Sequence, residues 1–271
     1  MKKAMMIGMA AVLAAGTASA QSDVVMVNQG GSEASETQVT LEAALVSSHV
    51  WRGQVQNNDF VFQPQITASQ YGVSINVWAN MDLGESFNGT QGDISEIDLS
   101  LAYTLPLNIN QVAFDVGLVN YHFAGNSDPA VATPSTTELF LRGTILSWKD
   151  YVVPVIPSVT FFGDVDQVEG TYILFDVAFP YEISEYLSVE GGFSAGYGNT
   201  SYNDYYWGAP LDAGWNDYNF YAGASYEIME GLTAAVNLQY SMVEGAIADE
   251  AAAAYEDDQK FFGGVNIAYD F

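Results

Sequence analysis

Apolar and polar positions alternate along most of the chain. In the last eleven residues Phe261, Gly263, Val265, Ile267, Tyr269 and Phe271 share one parity, and Phe262, Gly264, Asn266, Ala268 and Asp270 the other. Period-two alternation predicts a strand with one apolar face. Leu187, Val189, Phe193, Ala195 and Tyr197 repeat it against Ser188, Glu190, Gly192, Ser194 and Gly196. So do Leu232, Ala234, Val236, Leu238, Tyr240 and Met242 against Thr233, Asn237, Gln239 and Ser241. Twelve such segments are expected, at 38–52, 59–70, 72–81, 94–105, 111–123, 137–148, 153–163, 170–180, 186–197, 217–228, 231–243 and 260–271.

The connections alternate too. Short ones follow the even segments, at Tyr71-Gly72, Pro106–Asn110, Lys149–Val152, Tyr181–Glu185 and Met229-Glu230. Mostly longer ones follow the odd segments. A soluble sandwich has no reason to keep that parity, whereas a transmembrane barrel has short periplasmic turns and long outer loops. The expected fold is all-β: a transmembrane antiparallel up-and-down β-barrel of about twelve strands over residues 38–271. Tyr and Trp near segment ends (Trp51, Tyr103, Trp148, Tyr151, Tyr186, Tyr218, Tyr226, Tyr269) are expected in an interfacial girdle. Pro64 and Pro157 remove ladder donors, so a bulge or a late strand start is expected at each.

Composition narrows the class. Residues 1–20 read as a signal peptide: Lys2 and Lys3, an apolar stretch from Ala4 to Gly16, and Ala18-Ser19-Ala20 before the cut. Residues 21–37, poor in pattern, read as a flexible periplasmic segment, with a plug inside the barrel as the alternative. The chain has 6 basic and 33 acidic residues and a net charge of −27. That balance argues against nucleic-acid binding, which needs Lys and Arg to neutralise phosphate. With no Cys there is no disulfide framework. Aromatic residues at 14% separate the chain from acidic disordered proteins.

Fixing the outward face fixes the lumen. The inward ionisable residues are then Glu42, Arg52, Glu96, Asp98, Asp115, Glu138, Arg142, Asp176, Glu190, Glu227 and Asp270. Arg52, Glu96 and Glu138 should lie near the outer mouth, and Asp98, Arg142 and Asp176 near the middle. Paired members brace a narrow barrel, and unpaired carboxylates favour cations. Arg52, Glu96, Asp98, Asp115, Glu138, Arg142, Asp176 and Glu190 are the constriction candidates, with Arg52 expected to pair with Glu96 or Glu138.

A family resemblance adds to this reading. Val50-Trp51-Arg52-Gly53, Gln63, Val77-Trp78-Ala79-Asn80, Ser95-Glu96-Ile97-Asp98-Leu99 and Tyr103 resemble the motifs of TorF-type outer-membrane porins, over about residues 39–125. The resemblance implies a pore and an outer-membrane location in a Gram-negative bacterium. Ile267, Tyr269 and the terminal Phe271 resemble the assembly signal of outer-membrane barrels. The implied partners are outer-membrane lipid and lipopolysaccharide, periplasmic chaperones and the barrel-assembly machinery.

Other chemistry is weighed and set aside. His49 and Ser47 share a parity, but i and i+2 on a strand stand about 7 Å apart, too far for a catalytic hydrogen bond. No zinc spacing, nucleophile elbow or phosphate loop occurs, so no enzyme activity, cofactor or metal is expected. Asp164, Asp166 and Glu169, or Glu256-Asp257-Asp258, could offer oxygen to Ca²⁺ but read better as solvated loops. Ala246–Tyr255 reads as a short helix. The expected function is passive diffusion of small, preferentially cationic or neutral solutes. The alternative is a non-conducting structural or surface-interaction barrel.

Overall fold

The computed structural model describes residues 37–84, 91–107, 109, 111–123, 135–146, 154–208, 210–254 and 257–271, without the side chains of 252–254. The signal peptide, most of the segment at 21–37, Trp148, Tyr151 and Glu256 lie outside the described residues. The strands are β1 (Gln38–Val46), β2 (His49–Trp51), β3 (Gln54–Asn57), β4 (Val61–Gln70), β5 (Val73–Asp82), β6 (Ile94–Thr104) and β7 (Val112–Phe123). They continue with β8 (Thr136–Ile145), β9 (Ile156–Asp164), β10 (Thr171–Glu182), β11 (Leu187–Gly198), β12 (Gly214–Met229), β13 (Leu232–Val243) and β14 (Gln259–Asp270). Among the described residues two helices interrupt the loops, α1 (Thr200–Trp207) and α2 (Ala246–Ala254).

Twelve of these strands close into one antiparallel barrel, with β1 paired to both β14 and β4. Closure leaves no edge, which lipid requires because it offers nothing to bond an unpaired backbone group. Outward residues form an apolar belt: Leu41, Ile75, Leu99, Leu139, Phe161, Phe193, Leu238 and Ile267 are all exposed. A belt that encircles the molecule far exceeds the apolar patches that soluble monomers tolerate. It is the surface of a membrane-spanning barrel. Tyr103, Tyr186, Tyr226 and Tyr269 are exposed on this belt near its turn end.

The turn end carries Gln38, Asp270 and the tight connections. Gln70↔Val73 and Met229↔Leu232 each flank a two-residue turn. In the first, Tyr71 (φ 51) and Gly72 (φ 78) adopt the doubly left-handed geometry that matches strand twist. The other end carries the longer loops. Pro157 is the second residue of β9, a late strand start. Pro64 makes no bulge: the β4–β5 pairing lapses between Phe62↔Met81 and Gln65↔Trp78 and resumes in the same register.

The first strand departs from its expected extent. It ends at Val46, not at residue 52, and the chain turns into the lumen. Ser47 donates its backbone N–H to Gly263 O (2.9 Å), and its hydroxyl accepts from Gly263 N–H (3.1 Å). Ser48 then donates its hydroxyl across the neck to Asn57 O (2.5 Å). Beyond it β2 and β3 form a separate hairpin. Outward parity therefore fails for His49 and Trp51, which are buried inside the barrel and not in an interfacial girdle.

Candidate functional site

The hairpin is the centre of the loop-end half of the lumen. Trp51 pairs with Gln54, so Arg52 and Gly53 form its two-residue turn, with φ 46 and φ 84. Both values are left-handed, a conformation costly for Arg and free for Gly. Gly53 is also held by space: a Cβ there would meet Val243 Cγ1 at 2.5 Å and Asp217 Cβ at 3.0 Å.

The turn aims Arg52 at the far wall. Its Nη1 donates to Glu138 Oε1 (2.9 Å) and its Nη2 to Glu138 Oε2 (2.7 Å), a bidentate pair with both side chains at most 2% exposed. Tyr121 donates to the same carboxylate (3.0 Å). The guanidinium lies 4.2 Å from the Tyr172 ring centroid, 4.5 Å from Phe162 and 4.6 Å from Trp51. A desolvated cation over ring faces gains from their quadrupoles. Trp51, Val119, Tyr121, Phe140, Phe162, Tyr172 and Tyr202 pack as one buried cluster around this pair.

Two more buried clusters pack at this level. Val50 and Val55 of the hairpin pack on Ala44, Val46, Val61 and Phe262. Trp207 of α1 packs on Val243 and on Ile247 and Ala251 of α2. α1 starts at Asn199, whose side chain accepts from Tyr202 N–H, and stops at left-handed Gly208. Burial holds the Tyr202 and Tyr206 hydroxyls well above the usual phenol range. Gly196 makes room in the wall, since a Cβ there would collide with the Tyr172 hydroxyl, which donates to Asp217 (2.7 Å).

The other candidates distribute as follows. Glu138 joins Arg52, but Glu96 faces His49, with Oε2 3.7 Å from Nε2. Burial alone pushes the His49 imidazole down to about 3, so it is neutral. Asp98 is buried deeper on β6. Arg142 donates to Thr160 (3.3 Å) and lies within electrostatic reach of Asp115 and Asp176. Asp115 accepts from Thr104 (2.7 Å), and Asp176 from Tyr221 (3.0 Å). Glu190 Oε2 has no hydrogen-bond partner among the described residues. Glu42 accepts from Gln65 (2.9 Å) and Asn266 (2.6 Å), and Asp270 from Thr40 (2.5 Å).

The turn-end half is thus polar and acidic, and the loop-end half is packed. Sequence parity does not announce the apolar inner wall of β7 to β10. Its signal is adjacency: Leu139-Phe140-Leu141 and Phe161-Phe162 place apolar side chains on both faces of one strand. Asp164 is no Ca²⁺ ligand in this geometry. Its Oδ1 accepts from the N–H groups of Asp166, Val168 and Glu169, and its Oδ2 from Thr136. Among the described residues no group of three or more His, Asp or Glu is placed to hold a metal. His122 is exposed on β7, with Nδ1 2.8 Å from Ser135 Oγ.

A closed twelve-strand barrel with an apolar belt and long loops at one end is an architecture that solved porins also have. Three of the solved structures that share it are porins. The KdgM porin aligns with a TM-score of 0.51 at 9% identity, over 86% of this chain and 99% of that one. The KdgM porin in complex with disordered oligogalacturonate gives 0.51 at 10% identity, over 86% and 99%. The NanC porin gives 0.52 at 10% identity, over 85% and 98%. At such identities the likeness is one of fold. The chain matches no protein-family model and no curated protein. The TorF-type resemblance is therefore not extended by these comparisons.

Proposed function

We propose that the chain is an outer-membrane, porin-like channel for small cationic or neutral solutes, shut at its outer mouth while Arg52 holds Glu138. The loop end faces outward in this reading and both barrel termini face the periplasm. The observation that carries the solute class is the acidic turn-end lumen, where Glu42, Asp115, Asp176 and Glu190 outnumber Arg142. In a confined interior such carboxylates raise the local concentration of cations and repel anions. Opening requires that the hairpin leave the lumen and that α1, which packs on the same cluster, give way with it; the barrel wall closes without either.

Single-channel recording in planar bilayers tests this reading. Rare openings are expected in the native chain, with a reversal potential that favours cations and a preference that fades as salt rises and the Debye length falls to about 3 Å at 1 M. An anion-preferring pore would sink the assignment of the interior. A second reading has its own observation. The three packed clusters around the hairpin bury apolar side chains as the core of a soluble domain does. If neither the native chain nor an Arg52→Ala variant conducts, the barrel is a structural or surface-interaction protein.

A further inference from the structure

Between the hairpin and the wall of β5 and β6 lies a cleft of about 250 Å³ including its open mouth, and its inner part of about 10 Å³ takes one ion or water. His49, Asn57, Asp82, Ser95, Glu96 and Phe123 line it. His49 is 2% exposed, and its Nε2 has no hydrogen-bond partner among the described residues. The carboxylate that faces it, Glu96 Oε2, stands 3.7 Å away, too far for a hydrogen bond. Asp82 is otherwise occupied, accepting from Asn57 (2.7 Å), Asn80 (3.0 Å) and Ser95 (3.2 Å).

We propose that His49 and Glu96 form a two-point site for a divalent transition-metal ion at the loop-end mouth. An orphaned imidazole nitrogen and a carboxylate oxygen 3.7 Å apart can both reach one ion. Bonds of about 2.1 Å to each would meet at an angle of about 120°. Nitrogen with oxygen suits Zn²⁺, Co²⁺ or Ni²⁺, whereas Mg²⁺ and Ca²⁺ prefer all-oxygen sets. Water completes the coordination from the open side of the cleft. His49 belongs to the hairpin and Glu96 to the barrel wall, so the ion also staples one to the other. Binding that needs both elements in place stabilises the docked hairpin by mass action.

The test is titration of the folded, detergent-solubilised chain with Zn²⁺, read by calorimetry and by protection of the hairpin from protease. No conductance is measured, so the outcome is independent of the channel reading. One site is expected that weakens by roughly 10- to 100-fold or more in His49→Ala and in Glu96→Gln. His122→Ala, which removes the other histidine, should leave it unchanged. Hairpin protection should rise with Zn²⁺ in the native chain and not in Glu96→Gln, a near-isosteric change whose folding is checked by its heat-modifiable migration. The proposal is overturned if the native chain binds no more tightly than His49→Ala. It is equally overturned if His122→Ala abolishes the site.

Discussion

Replacing Arg52 with Ala removes the side chain that joins the hairpin tip to the opposite wall by an ion pair. Glu138, 1% exposed, would then be left in an apolar surround with Tyr121 as a remaining donor. Breaking a buried pair by deleting one partner costs about 3–5 kcal/mol. Stacking on Phe162 and Tyr172 is lost as well, worth about 2 kcal/mol for a desolvated cation. These contributions overlap, so about 4 kcal/mol is the expected loss. Ala keeps the left-handed backbone demand at position 52, so no strain is relieved. At about 1.4 kcal/mol per factor of ten, the undocked hairpin should gain more than 100-fold in population.

The barrel ladder does not depend on this pair, so the loss should be local. Hydrogen exchange at Val50 to Asn57 should speed up by that factor while the amides of β10 to β13 keep their protection. Open-channel events should become frequent in the same variant. Arg52→Lys should recover only part, because an ammonium cannot make the planar two-point contact. Arg52→Met with Glu138→Leu should dock the hairpin as well as the native pair does, or better, since an apolar pair of similar volume escapes desolvation. Unchanged exchange at the hairpin in Arg52→Ala would refute the clasp. Collapse of the whole barrel would refute the claim that it is local.

Three further outcomes follow from the same geometry. Phe271 is 70% exposed and Phe262 is buried beside the hairpin, so the two should fail differently. Deleting Phe271 should lower the yield of inserted, heat-modifiable barrel without changing the melting of what inserts, whereas Phe262→Ala should insert and lose about 3–5 kcal/mol. Gly196→Ala should displace Tyr172 from Asp217 and lower stability by about 1–3 kcal/mol, read as a fall in melting temperature with insertion intact. Tyr202 and Tyr206 are held un-ionised by burial, so the released α1 loses protons above pH 10 while the docked one does not. Docking is therefore fully present below pH 10 and weakens above it. Difference absorbance against Tyr202→Phe should show the phenolate signal of Tyr202 only when α1 detaches.

The barrel was legible because lipid imposes one rule on every strand. Leu187 to Tyr197 alternate because one face meets hydrocarbon and the other does not, and nothing local competes with that demand. Loop parity added the topology, since both barrel termini and the short connections between barrel strands lie at one end. The proline readings divided for a physical reason. Pro157 stands where a strand is only beginning, while Pro64 sits mid-strand and is absorbed by a lapse in pairing to β5 with no extra residue.

The site was legible in its charges and hidden in its path. Arg52 could be assigned an acidic partner because carboxylates dominate the inward positions, and Glu138 was one of two within reach of the outer mouth. What parity could not supply was the fold-back at Ser47-Ser48, where two hydroxyls replace the ladder. Alternation runs on through those serines, so counting carried His49 and Trp51 onto the lipid face. Arg52-Gly53 does not have the Asn-Gly or Asp-Gly composition that normally marks a two-residue turn. The turn forms because its surroundings over-determine it: Gly53 has no room for a Cβ, and Arg52 finds two carboxylate oxygens and three ring faces within 4.6 Å. A left-handed arginine is therefore a consequence of tertiary contact, absent from the local sequence. A buried pair that apolar residues could replace without loss does not maximise stability. Its value is that it fixes where the hairpin docks, and in the proposed channel it would let solvent compete for both ends when the hairpin leaves.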